Sequence, residues 1–163
     1  DLEALAIGLY EGVEEDYLEY RINQVAYLGE QLAKKGVPII LPTGGHGVYV
    51  DAQKFYPNIP QSEFPGQAMV VELFKTGGVR GVELGSCAFS KKNPETGKII
   101  FPDLELVRLT VSRRVYTNQH MDVVVNALAD VFERRNEMKG LKLIYEGPII
   151  SLRHFTAKFE PIS

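Results

Sequence analysis

The chain has 163 residues, enough for one domain with a hydrophobic core, and a formal net charge of −3 at pH 7. Apolar residues make up 45% of it and charged residues 24%, as in ordinary globular proteins. No basic stripe alternates with aromatic residues and no apolar run is long enough to cross a bilayer, so neither nucleic-acid nor membrane binding is supported. The single cysteine, Cys87, excludes an internal disulfide and favours a reducing, cytoplasmic location.

Helical patterning dominates the first 36 residues. Apolar residues recur at helical spacing, and Gly8 and Gly12 predict a break near residues 10–14. A continuous helix is expected from Glu15, with Gly36 as its stop, and its apolar face comprises Leu18, Ile22, Val25, Leu28 and Leu32. We expect part of this face to stay exposed, because a helix at the start of a compact unit often packs on something outside it. The chain opens with aspartate rather than methionine, which indicates a fragment, a processed product or an excised part of a longer protein.

Short strands and two further helices are predicted in the rest of the chain. The helices are expected at residues 64–76, with a proline in the first turn, and 119–139, with Gly140 as the cap. Strands or extended segments are expected at residues 37–41, 46–51, 79–84, 104–111, 141–145 and 149–159, and a long hairpin at residues 85–100. The alternation of helices with β-pairs predicts an α/β or α+β class, with a small sheet covered by helices.

Arg108 is the most suggestive candidate for a binding residue. It lies within a predicted strand, where a charge needs either a partner or a cavity. A guanidinium binds a planar carboxylate through two parallel N–H donors, so an anion site is one interpretation. An ion pair with one of the 21 acidic residues is the interpretation that the pattern alone favours.

Cysteine and histidine offer weaker signals. The three histidines, at positions 46, 120 and 154, form no close-spaced pair, so a zinc site is not expected. Cys87 lacks the flanking pattern of a thiol nucleophile and is expected to be a buried structural residue.

Specific strings of residues follow one another along essentially the whole chain. They include Tyr10-Glu11-Gly12, Pro42-Thr43-Gly44-Gly45-His46, Arg108-Leu109-Thr110, His120-Met121-Asp122 and Leu152-Arg153-His154-Phe155-Thr156. In this order they resemble the family of tryptophanases and tyrosine phenol-lyases, which are β-eliminating lyases.

The resemblance implies the small domain of a fold-type-I enzyme that depends on pyridoxal 5'-phosphate. Residues 1–36 would be the connecting helix from an absent large domain, and residues 37–163 the C-terminal small domain. A homotetramer and a potassium ion are implied as well. The lysine that binds the cofactor is expected upstream of Asp1, so we expect no cofactor-binding residue in this chain and no activity from it alone. Ser90-Lys91-Lys92-Asn93 resembles the lysine motif, but it falls in the predicted hairpin.

The same resemblance assigns three substrate-contacting residues. Arg108 matches the arginine that holds the substrate α-carboxylate. Leu84 stands where tyrosine phenol-lyases have arginine, and it is expected to line the aromatic pocket. His154 stands where they have phenylalanine, and it is expected near the indole as a substrate-binding and candidate catalytic residue. By spacing alone, Leu84 would be ordinary strand core and His154 a structural histidine.

Cleavage of L-tryptophan to indole, pyruvate and ammonia is therefore the expected activity of the full-length enzyme. A tyrosine or cysteine-type lyase of the same family and a non-catalytic assembly domain are the alternatives. Two residues depart from the pattern of the family: Ser112 stands where proline is usual, and Gly66 stands where alanine is usual. Arg113-Arg114 resembles the phenol-lyases more than the tryptophanases.

Overall fold

The computed structural model describes residues 1–162, and of Ser151 the backbone only; Ser163, the last residue of the predicted small domain, lies outside the described residues. The helices are α1 (Leu2–Glu11), α2 (Glu15–Lys34), α3 (Ala52–Phe55), α4 (Pro65–Gly77), α5 (Ser86–Phe89), α6 (Asn118–Glu133) and α7 (Arg153–Thr156). The strands are β1 (Gly47–Asp51), β2 (Val82–Leu84), β3 (Lys91–Lys92), β4 (Ile99–Ile100), β5 (Leu106–Thr110), β6 (Leu141–Tyr145) and β7 (Lys158–Pro161). Short 3-10 turns occupy Gln61–Glu63, Arg135–Glu137 and Ile150–Leu152.

A three-stranded antiparallel sheet with β5 in the centre organises the domain. Its strand order is β1–β5–β2, and two separate hairpins, β3–β4 and β6–β7, complete the β structure. Side chains alternate between the two faces of a strand, so Val107 and Leu109 of β5 point into the core while Arg108 points to the opposite face. The predicted class, helices combined with a small sheet, is confirmed.

Helices α2, α4 and α6 cover the apolar face of this sheet. Their buried side chains form one cluster with those of β1 and β5, including Leu28, Leu32, Met69, Leu73, Leu128, Val48, Val50 and Val107. One continuous core of this kind is what stabilises a domain of this size. None of the helices of the described residues combines the length and apolar character that a membrane crossing needs.

Local sequence signals set the ends of α2 and α4. The predicted break before Glu15 is confirmed, and α2 ends where Gly36 adopts a φ of 77°. Pro65 is the first residue of α4, and Gly78 ends that helix with a φ of 66°. Both glycines adopt a left-handed conformation that other residues rarely adopt.

The predicted apolar face of α2 divides into two parts. Val25, Leu28 and Leu32 are buried against α6 and the sheet, whereas Leu18 and Ile22 are exposed. Helix α1 exposes a further set of large apolar side chains, namely Leu2, Leu5, Ile7 and Leu9. The predicted exposed apolar surface on α2 is thus confirmed.

Several predicted elements are wrong in type or length, including the strand at 79–84, of which only Val82–Leu84 forms. Residues 37–41 form no strand: Ile39 makes one isolated bridge to Val50, and Pro38 has no N–H to donate. Helix α6 ends at Glu133, and Gly140 packs closely on Glu63 instead of capping the helix. Residues 149–159 were expected to be extended, but they contain a 3-10 turn and α7 before β7 begins.

The predicted hairpin at residues 85–100 is confirmed only in its second part. Helix α5 follows β2 directly, and the short β3–β4 hairpin comes after it. Lys91 and Lys92 lie in that hairpin and are exposed.

Candidate functional site

The face of the sheet away from the core brings two predicted residues together. Directly opposite residues of antiparallel strands share a face, and Arg108 of β5 lies opposite Tyr49 of β1 and Val82 of β2. Leu84 lies opposite Leu106, one step along the same face. Arg108 and Leu84 are therefore diagonal neighbours on adjacent strands, close enough to contact one small molecule.

The Arg108 guanidinium keeps an unsatisfied hydrogen-bond donor among the described residues. Its Nε is shielded from solvent and has no hydrogen-bond partner in the described residues. Among those residues it makes no salt bridge either, so the ion pair that the pattern alone favoured is not found. A buried donor without a partner costs about 1–3 kcal/mol. A bound carboxylate would recover that free energy.

Leu84 belongs to this face and not to the hydrophobic core. It is partly exposed, while its neighbour Glu83 points into the interior and is buried. An apolar side chain on this face offers no hydrogen bond to a ligand. It suits a large hydrophobic surface.

His154 lies in α7, on the connection between β6 and β7, and not in an extended segment. Its side chain is exposed, and its ring centroid is 3.7 Å from that of Phe155. Within the described part of the chain, no hydrogen bond involves the His154 ring, so its nitrogens are available to a ligand.

Two buried carboxylates hold the segment that follows Leu84. Glu105 accepts hydrogen bonds from the backbone N–H of Ser86, at 2.9 Å, and from its hydroxyl, at 2.5 Å. Glu83 accepts from the backbone N–H groups of Cys87, at 2.9 Å, and Ala88, at 3.0 Å. The first three N–H groups of α5 are therefore satisfied by carboxyl oxygens, as the free donors at the start of a helix require.

Arg153 holds the same helix from its other end. Its Nε donates to the carbonyl of Cys87 at 2.8 Å, and one terminal nitrogen donates to the carbonyls of Ser86, at 3.0 Å, and Ser90, at 3.4 Å. The second terminal nitrogen forms a 3.0 Å salt bridge with Glu146. We call the set Glu83, Glu105 and Arg153 the α5 clamp.

Sequence reasoning missed the α5 clamp. Glu83 and Glu105 lie in or next to strands that are predicted to be apolar. An acidic residue in such a strand is the sequence signal that could have identified them. In the sequence, Arg153 stands out only as a member of the segment Leu152-Arg153-His154-Phe155-Thr156, which resembles the family.

Burial is the main influence on the pKa of Glu83, one of the two acidic residues of the α5 clamp. It raises the pKa of the Glu83 carboxyl from 4.5 to about 7; the backbone N–H of Cys87 opposes the rise, and the charge of Glu105 adds to it. Burial likewise raises the pKa of the Cys87 thiol to about 11, with a further contribution from Glu83. Cys87 is 1% exposed and stays protonated near neutral pH, as expected for a structural cysteine.

A cavity of about 350 Å³ lies elsewhere, between α2, the end of β5 and the start of α6. Its lining includes Leu28, Arg80, Tyr116 and His120 but none of Arg108, Leu84 or His154. We place the candidate site on the sheet face and not in this cavity, because the unsatisfied donor and the predicted specificity residue are on that face. Among the described residues, no group of three or more potential metal ligands is assembled.

The Glu83 carboxyl predicts a pH-dependent stability. Because it binds its proton more tightly when folded than when unfolded, the free energy of unfolding should fall as pH rises from about 4.5 to 7, by at most about 1.4 kcal/mol per pH unit. Glu83→Gln should remove that slope, whereas Glu137→Gln, at an exposed position, should keep it. Urea unfolding of the full-length protein from about pH 5 to about pH 8 measures both. Parallel pH profiles for the wild type and Glu83→Gln would contradict this assignment.

Comparison with known proteins identifies the family. A family described as "Beta-eliminating lyase" matches residues 6–127. The chain is 51% identical to the tyrosine phenol-lyase of Symbiobacterium thermophilum over its whole length, which covers 35% of that protein. It is 50% identical to the probable tryptophanase of Aeropyrum pernix over 99% of the chain and 34% of that protein, and 47% identical to the tryptophanase of Salinibacter ruber over 99% of the chain and 33% of that protein.

The chain thus spans about a third of the length of the curated relatives it matches, corresponding to their C-terminal part. Relatives with either name are about equally similar, so overall identity does not decide between the two substrates. The chain belongs to the β-eliminating lyase family.

Proposed function

We propose that this chain is part of a carbon–carbon lyase that cleaves L-tryptophan to indole, pyruvate and ammonia. In this proposal residues 1–36 are the connecting helix and residues 37–163 the C-terminal small domain. The observation that carries it is the unsatisfied Arg108 guanidinium on the same sheet face as the apolar Leu84.

Arg108 would hold the substrate α-carboxylate. A guanidinium offers two parallel N–H donors that match the two carboxylate oxygens. Held in this way, the amino acid would lose free rotation about its Cα–N bond, so Arg108 would fix the direction of its Cα–H bond. Removal of the Cα proton is then the favoured first step.

The proposed cofactor is pyridoxal 5'-phosphate, which when bound supplies an electron sink for the pair left on Cα. The residues of this chain fit a site that is completed elsewhere in the protein. As the family resemblance implies, the cofactor lysine would lie in the part of the enzyme outside this chain. What this chain contributes is the anchor for the substrate's carboxylate.

Leu84 would face the indole ring. In the resemblance that the sequence carries, tyrosine phenol-lyases have arginine at this position, where a cation can bond the phenol oxygen. Indole has no hydroxyl to receive such a bond, and a buried cation without a partner would be costly. A leucine here favours the indole side chain of tryptophan.

His154 would act at the leaving group. When the Cβ–ring bond breaks, the ring carbon must gain a proton, and one water is consumed as pyruvate and ammonia form. An exposed imidazole without a hydrogen-bond partner among the described residues can donate to the indole or orient it. We propose it as a substrate-binding residue and as a candidate proton donor.

The full-length enzyme is further proposed to be a potassium-dependent homotetramer of the cytoplasm, as the family resemblance implies. Tyrosine phenol-lyase is the second candidate, because relatives with that name are up to 51% identical to the chain. A cysteine-type lyase and a non-catalytic assembly domain are the remaining alternatives.

The substrate test compares product release by the full-length protein that carries this chain. With pyridoxal phosphate and potassium present, L-tryptophan should give indole while L-tyrosine gives little phenol. Leu84→Arg should lower indole release, because it places a cation against the ring, whereas Leu84→Met should retain it. The isolated 163-residue chain should give neither product.

Phenol in place of indole would overturn the tryptophan proposal and establish the second candidate. Release of pyruvate from S-ethyl-L-cysteine alone would establish a cysteine-type lyase. No turnover of any of the three would favour a non-catalytic domain.

The Arg108 assignment predicts a large kinetic effect. Arg108→Met removes the carboxylate anchor, and kcat/KM of the full-length enzyme should fall at least about 30-fold, the equivalent of about 2 kcal/mol or more. The loss should be similar for every amino-acid substrate, since all carry the same carboxylate. The matched control is Arg80→Met, at an exposed position where the guanidinium lies over the Phe74 ring, 4.8 Å from its centroid. A loss of less than about threefold, under 1 kcal/mol, would contradict the assignment.

A further inference from the structure

Arg153 is almost fully buried, at 6% exposed, although it lies next to the exposed His154. Three backbone carbonyls and one carboxylate surround its guanidinium. Such a buried charge is stable only when its donors are satisfied, so the position of its neighbours is closely defined.

Helix α7 needs this anchor because it lies at the end of a hairpin. Strands β6 and β7 pair with each other, and the Phe64 and Phe159 rings, 5.1 Å apart, fix the strand part of the hairpin against the start of α4. Thr156 bonds only within the same connection, to the carbonyls of Glu146 and Leu152. In the described part of the chain, the hydrogen bonds that join α7 to α5 all come from Arg153.

Helix α5 is a fixed point for that anchor. Glu105 and Glu83 hold its N–H groups, and a Cβ at Gly85 would lie 2.4 Å from the Glu105 carboxyl carbon. The chain therefore has little freedom to shift between Leu84 and Ser86. Arg153 then ties the residue next to His154 to this segment.

We propose that Arg153 is a positioning residue that sets the aromatic end of the substrate site, by fixing α7 and with it His154 relative to β2 and Leu84. This inference rests on the proposed function, since it assigns a role at the leaving-group side of that same site. Arg153 itself contacts three backbone carbonyls and the Glu146 carboxylate, so it would act on the substrate only through α7. Substitution of Arg153 is expected to lower activity only on substrates whose leaving group contacts both Leu84 and His154.

Lysine cannot replace arginine in this role. A guanidinium reaches several acceptors in fixed directions from one plane, whereas an ammonium is a single point charge on a flexible stem. Arg153→Lys keeps the charge and loses the geometry. It is therefore the informative variant, with Arg153→Met as the stronger change.

The test uses two substrates of the full-length enzyme that differ in their leaving groups. Indole must be oriented and protonated on carbon as it leaves, whereas the thiolate of S-ethyl-L-cysteine leaves without a proton on carbon. Arg153→Lys should lower kcat/KM for L-tryptophan about tenfold or more and for S-ethyl-L-cysteine less than about threefold. Hydrogen exchange in peptides covering residues 147–157 should become faster, because α7 loses its anchor.

Lys142→Met is the matched control, since Lys142 lies on β6 of the same hairpin and makes only an exposed ion pair with Glu160. Lys142→Met should leave kcat/KM unchanged for both substrates. Retained activity on S-ethyl-L-cysteine shows that the Arg153→Lys variant is folded. Equal losses on both substrates, no loss on either, or unchanged exchange in residues 147–157 would each overturn the inference.

The wild-type assay separates this inference from the proposed function. If the wild type cleaves L-tyrosine and not L-tryptophan, the substrate proposal fails, and the Arg153 inference is judged on phenol release instead. If the wild type cleaves no aromatic amino acid, both fail. If indole is released but Arg153→Lys affects both substrates equally, the inference alone fails.

Discussion

A carboxylate without access to water holds the centre of this domain together. Glu105 is 1% exposed, and its two oxygens accept from Ser86, from Gln61 before α4 and from the N–H of Gly66 within it. Because an unpaired buried charge is very unfavourable, these segments must stay where their donors satisfy it. The constraint also restricts side-chain size, since a Cβ at Gly85 would overlap the carboxyl group and one at Gly66 would lie 3.0 Å from Glu105 Oε1. Gly66 therefore lies directly against this carboxylate.

Two kinds of structure hold the residues of the proposed substrate site. The proposed carboxylate anchor, Arg108, lies on the central strand of the sheet, where strands on both sides fix the backbone. The proposed aromatic side is built from Leu84 at the end of an edge strand and His154 on a hairpin connection. The α-carboxylate, which all amino-acid substrates share, would thus be bound by a residue of the central strand. The leaving group, which differs between substrates, would be bound by residues whose segments are positioned by side-chain hydrogen bonds to the backbone.

The sequence predicts the elements that local signals define. Helix α2 follows from apolar spacing and a terminal glycine, and the alternation of β5 places Arg108 opposite the core. What the sequence misses depends on distant partners: α5 is only four residues long and relies on a carboxylate nineteen positions later, at Glu105. Likewise α7 appears where an extended segment was expected, because Arg153 finds acceptors in α5. The absence of an ion pair for Arg108 in the described residues is also a tertiary property, and spacing alone favoured the opposite.

Arg153 recognises the main chain of α5 and not its side chains. Its acceptors there are the carbonyl oxygens of Ser86, Cys87 and Ser90, which every amino acid supplies. Mutations at Cys87 or Ser90 can therefore accumulate over evolution without breaking the contact, provided that the helix keeps its path. The same holds for positions 84 and 154, whose side chains take no part in it. A lineage could exchange one leaving group for another by changing those two residues while inheriting the framework intact.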